Sequence, residues 1–123
     1  MTVAEALGRI DNIFYNTFSA SEKIMWLSKL DWMIKRNIFD THEGGENIAF
    51  SGYTPEESGS TALLLPEPFD EMYLLWLQAQ MELALKETEN YNASILTFNT
   101  EYEAFENYWN RTHMPKGCGR FRF

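Results

Sequence analysis

The sequence predicts a mainly α-helical protein, a small bundle of about four helices whose last two form an antiparallel hairpin. Three observations carry this. Thr2 with Glu5 and Ser19 with Glu22 are capping signatures, each opening a block in which apolar residues recur at helical spacing. A Gly/Pro-rich stretch separates these blocks from the rest of the chain. Beyond it, Tyr91, Ile95, Phe98, Tyr102, Phe105 and Trp109 step alternately by four and three, an unbroken stripe along one helix face.

The first helix is expected from about Val3 to Phe14, with Val3, Ala6, Leu7, Ile10 and Phe14 on its apolar side. Asn16 to Ser19 breaks it. The second helix carries Ile24, Leu27, Leu30 (or Asp31), Ile34 and Ile38 in one stripe, widened by Trp26, Met33 and Phe39. Lys23, Lys29, Lys35 and Arg36 are expected on its wet side.

From Asp40 to Pro68 the helical period disappears. Four glycines and three prolines fall in this stretch, and a segment of such length inside a small domain is usually a functional arm or a mobile loop. Residues 47–51 and 61–65 are short strand candidates that turn chemistry would join into a β-hairpin arm.

Pro68 suits the first turn of a third helix, where Asp70 and Glu71 meet the positive end of the helix dipole. Its stripe of Phe69, Met72, Tyr73, Trp76, Gln80 and Leu83 runs to about Leu85. A fourth helix spans about Thr88 to Arg111. One helix through both blocks would be about 65 Å long, against a radius of gyration near 14 Å for a domain of this size. A turn is therefore placed at Lys86–Thr88, with Thr88 as N-cap; a continuous helix is the alternative.

The chain of 123 residues suits a single domain, 1–112, followed by an arm, 113–123. Apolar residues make up 45% and aromatics 15%, enough for a core without metal or disulfide. The one cysteine, Cys118, excludes a disulfide framework. The N-terminus has no signal-peptide pattern, and no apolar run approaches a membrane span. Net charge is −8, which argues against general nucleic-acid binding. The arm carries Lys116, Arg120 and Arg122 and no acid, so residues 1–112 hold seven bases against all 18 acids, a net −11.

Catalysis finds little support. His42 and His113 lie in loop-like segments without a second ligand at metal spacing, and His42-Glu43-Gly44 lacks the second histidine of a zinc-protease motif. Cys118 has basic neighbours but no histidine base. No cofactor is expected. The aromatic stripe of the fourth helix reads as core rather than as a stacking box. Even so, four Trp, six Tyr and nine Phe are many to hide in so small a chain, and exposed aromatics mark interfaces. Tyr15, Trp32, Tyr53, Tyr108, Phe121 and Phe123 fall outside the assigned stripes and are candidate partner contacts. Arg120-Phe121-Arg122-Phe123 alternates cation and ring as an added β-strand would. With Lys116 and Tyr53 it forms the candidate interface; a frayed terminus is the alternative.

The order of a capped helix pair, a Gly/Pro-rich middle, PEPFDEMYLLWLQAQ, NYNASILTFNTEYEAFENYWN and RTHMPKG resembles small proteins of Firmicutes phages and prophages encoded beside the capsid genes. In layout it is similar to the tailed-phage head–tail connector (adaptor) family, and the resemblance spans nearly the whole chain. It implies a non-enzymatic virion protein, assembled in the bacterial cytoplasm, whose copies form a ring under the portal. Such a ring extends the DNA channel and docks the tail, a stopper or the next connector. It also implies that the 40–68 segment and the 113–123 arm reach neighbouring proteins. The competing reading is a small acidic regulator, or a DNA mimic, that occupies a basic groove on another protein.

Overall fold

A computed structural model describes residues 1–14, 16–41, 48, 50, 52–53, 61–66 and 68–112. Among them the fold is all-helical: α1 (Val3–Ile13), α2 (Ala20–Ile34), α3 (Met72–Ala84) and α4 (Thr88–Thr112). A π-helical turn, Lys35–Phe39, extends α2, and a 3-10 turn, Phe69–Glu71, precedes α3.

Each N-terminal helix begins where a hydroxyl replaces the missing intrahelical acceptor. The Thr2 side chain accepts the Glu5 N–H at 3.2 Å, and Glu5 returns the favour by accepting the Thr2 N–H at 3.0 Å. Ser19 accepts the Glu22 N–H at 3.2 Å. Between the helices, the Asn16 amide donates to the Phe14 carbonyl and to Asp11, while its oxygen accepts the Phe18 N–H. The connection is thus hydrogen-bonded by one side chain.

α2 buries Ile24, Leu27, Leu30 and Ile34 as its spacing predicts. Its end differs from a regular helix. The Asp40 N–H reaches back five residues to the Lys35 carbonyl at 2.8 Å. That wider turn brings the consecutive residues Ile38 and Phe39 into the core together. Lys23 departs from its expected wet position: it is 4% exposed, with its ammonium 2.6 Å from Asp11. The pair ties α2 to α1 and holds the Asp11 carboxyl below the usual range.

The strand candidate at 61–65 pairs with a segment the sequence reading did not name. It lies against the N-terminus: Val3 N–H donates to the Thr61 carbonyl at 2.9 Å and Leu63 N–H to the Met1 carbonyl at 3.0 Å. A single antiparallel bridge, Thr2 with Ala62, results. No strand forms among the described residues, and most of 47–51 lies outside them. The residues of 61–65 gain more by burying Leu63 and Leu65 than by extending into an arm.

α3 packs against α1, α2 and α4. This is why its sequence is apolar nearly all round, with Met72, Tyr73, Leu74, Leu77 and Met81 buried. Its expected stripe is wrong at one end. Leu83 is half exposed, whereas Glu82 is buried and accepts the Ser94 hydroxyl of α4.

The hairpin, rather than the continuous helix, is what forms. Lys86 adopts φ +62°, its N–H donates to Leu83, and the Glu87 N–H donates to Glu82. These two bonds are a Schellman motif, which ends α3 and reverses the chain. Because Glu87 already supplies the carbonyl for the first α4 bond, to Tyr91 N–H at 2.9 Å, Thr88 is the first helical residue and not the cap.

The α4 stripe closes the core. Phe98, Phe105 and Trp109 are buried. Phe105 meets Phe69 at 5.2 Å and Phe39 at 6.2 Å between ring centroids, and Phe39 meets Trp109 at 4.6 Å. No described helix is long and apolar enough to cross a membrane.

Candidate functional site

α2 has two working faces. One turns inward on Asp31; the other floors an open concavity against α3.

Asp31 is fully buried and joins three parts of the chain. One carboxylate oxygen accepts the Tyr73 hydroxyl of α3 at 2.8 Å; the other accepts the Tyr53 hydroxyl and the Leu64 N–H. Tyr73 in turn accepts the Leu65 N–H at 2.8 Å. Burial pushes the Asp31 carboxyl up to about 6, opposed by those three hydrogen bonds. Burial and the Asp31 charge both push the Tyr73 hydroxyl upward. Hydrogen-bonded on both oxygens, Asp31 fastens Tyr53 and the backbone at Leu64 to the bundle. It has no opening through which to meet a substrate.

The outer face of α2 carries Lys29, Trp32, Met33, Arg36 and Asn37. With Trp76 and Gln80 of α3 they line a groove of about 760 Å³. Trp76 is fixed by its indole N–H, which donates to the Trp26 carbonyl at 2.8 Å, and by Phe98, whose ring lies 5.2 Å away. Trp32 is 41% exposed and presents an indole to solvent.

Phe50, Gly52 and Tyr53 lie against Trp32 and Ser28 on the outer side of α2. Phe50 meets Trp32 edge-on at 5.0 Å, and the Tyr53 N–H donates to the Ser28 hydroxyl at 3.0 Å. Between them Gly52 takes φ +94°, and a β-carbon there would stand 3.1 Å from the Trp32 indole nitrogen. Only glycine lets the backbone pass so close in this conformation.

Lys29 and Arg36 are exposed and make no ion pair with a described residue. Of the other five cations of residues 1–112, Arg9, Lys23 and Lys35 are paired with Glu71, Asp11 and Asp40, while Lys86 and Arg111 also make no ion pair with a described residue. Two of the few cations of an acidic body therefore stand open on the same groove wall, beside two indoles. The arrangement suits recognition of an anionic, apolar surface. It offers no nucleophile with a base beside it, and no group of three His, Cys, Asp or Glu gathers among the described residues.

Of the candidate contacts read from sequence, Trp32 lies in the groove. Tyr53 lies at its edge, but its hydroxyl is committed to Asp31. Tyr108 is half-buried, 5.1 Å from Phe69. Tyr15, His42, His113, Lys116, Cys118, Arg120, Phe121, Arg122 and Phe123 lie outside the described residues. The sequence reading missed that Lys29 and Arg36 line one groove with Trp32 and Trp76. Their signal was present: Lys29, Trp32, Met33 and Arg36 follow one another by three, one and three, a single helix face. Comparison with known protein families, curated proteins and solved structures finds no match.

Proposed function

We propose that this chain is a docking protein of the virion, a head–tail connector whose copies assemble in a ring beneath the portal and receive the tail, a stopper or a further connector. The observation that carries a docking role is the open groove on α2 and α3, lined by the exposed Trp32, by Trp76 held through its indole N–H, and by two cations that have no ion-pair partner among the described residues. Such aromatic and arginine side chains dominate the energetics of protein interfaces. The sequence layout that resembles the connector family supports the virion assignment, and the net −11 of residues 1–112 suits a channel past which DNA slides without being gripped. Catalysis and a cofactor have no part in this role.

Quantitative mass spectrometry of purified phage particles, induced from the source strain, tests the assignment. Peptides of this chain in filled particles, stoichiometric with the portal, are expected. Abundance in the lysate with absence from particles would replace the connector reading by that of an acidic regulator. For the arm, deleting residues 114–123 is expected to abolish assembly on the portal while circular dichroism keeps its helical signal. Undiminished assembly would remove the arm from the interface.

A further inference from the structure

We infer that the α2–α3 groove is the docking surface for an acidic, apolar peptide segment of a partner protein. The inference rests on the reading of this chain as a docking protein and adds the chemistry of what it docks.

Charge complementarity selects the sign. Lys29 and Arg36 stand two helical turns apart, about 10 Å at the usual helical rise, and neither has a described ion-pair partner. In a body with 18 acids, unpaired cations on one groove wall repel a basic segment and attract a carboxylate-bearing one. The same charges argue against the chain's own basic arm as occupant.

Shape selects a peptide over a small molecule. The groove shares Lys29 and Trp32 with a concavity of about 340 Å³ beside Met25 and Tyr53. At its other end it shares Met33, Asn37 and Trp76 with one of about 230 Å³ that runs onto Phe98 and Tyr102 of α4. From Met25 to Asn37 the floor extends for about 18 Å at the usual rise, the length of roughly three helical turns or a short extended strand. Trp32, Met33 and Trp76 supply apolar seats along it, as in helix-in-groove recognition. Nucleic acid has the right sign of charge and could stack on the indoles. Two cations within a strongly acidic body, however, are too few to hold a polyanion.

Fluorescence anisotropy of the full-length chain tests this with three fluorescein-labelled probes. The first is a 14-residue amphipathic peptide with leucine and phenylalanine anchors and glutamate elsewhere. The second has lysine in place of every glutamate, and the third is a 14-nucleotide oligothymidylate. The acidic peptide is expected to bind at least tenfold more tightly than the other two. K29E/R36E, both at exposed positions, is expected to reverse the peptide preference with an unchanged melting temperature, and Trp32→Ala to weaken both peptides. Equal binding of the two peptides, no binding of the acidic one at millimolar concentration, tighter binding of the oligonucleotide, or a preference that survives the charge reversal each overturns the inference. Particle composition decides the virion assignment separately, so failure of one is distinguishable from failure of the other.

Discussion

Asp31 occupies a position that the spacing of Ile24, Leu27, Ile34 and Ile38 reserves for an apolar side chain. A buried carboxylate there is tolerated because Tyr53, Tyr73 and the Leu64 N–H replace its water. The replacement is incomplete, since the carboxyl still sits near 6 rather than at its ordinary 3.8. In an unfolded chain it ionises as pH rises through 3.8. In the folded chain it holds its proton until about 6, so folding loses stability between these values and levels off above them. The loss amounts to about 3 kcal/mol, at 1.36 kcal/mol per unit. Asp31→Asn abolishes this titration. The stability of the wild type minus that of the variant, from urea unfolding at pH 4 and pH 7, is expected to fall by about 2–2.5 kcal/mol, the part of the loss that lies above pH 4. A difference independent of pH would show that Asp31 ionises normally in the fold.

Elements are decided at their ends and along their seams. At the α3–α4 turn the Schellman geometry requires a left-handed residue, and the chain places Lys86 there at φ +62°. A side chain in that region costs about 1–2 kcal/mol. Glycine removes the strain but gives back about 0.4–1 kcal/mol through a freer unfolded state. Lys86→Gly is therefore expected to raise the stability by about 0.5–1 kcal/mol in thermal unfolding, and a lower melting temperature would contradict the strain. The seam behaves oppositely. Phe105 is fully buried and touches Phe69, Phe39 and Trp109 at once. Phe105→Ala is expected to cost about 3–5 kcal/mol in denaturant unfolding, the range for a large ring removed from a closed core. A cost below 1 kcal/mol would mean that α4 is only loosely held against α3.

Over the whole molecule, the bundle separates the residues that hold it together from those it offers. The aromatic excess is spent mostly inside, where α4 meets α3, the π-helical turn and the 3-10 turn. Trp32 and Trp76 instead line the groove. Acidic charge dominates residues 1–112 as a whole, whereas the charged residues that line the groove are Lys29 and Arg36. Association through the groove is therefore expected to weaken with added salt, within the screening length of about 8–10 Å at 0.1–0.15 M. Salt-insensitive binding of the acidic probe peptide would place its affinity in the indoles alone.

Local chemistry was enough to read the helices from the chain. Thr2 with Glu5, Ser19 with Glu22 and the alternate four-three steps of the α4 aromatics each act within a turn or two, so they survive without knowledge of the fold. The hairpin turn was legible too, because a chain this short cannot carry one helix through both blocks. Tertiary structure alone decided what each segment faces. Residues 61–65 pair with the N-terminus because their leucines are drawn into the core there. Lys23 and Glu82 are buried because Asp11 and Ser94 stand opposite them, and Asp31 because two distant tyrosines meet it. The groove exists only where α2 and α3 lie side by side, bringing Trp76 within reach of a helix face some 50 residues earlier in the chain. Sequence sets which faces are apolar; which other face each one meets depends on contacts between residues far apart along the chain, and periodicity carries no record of those.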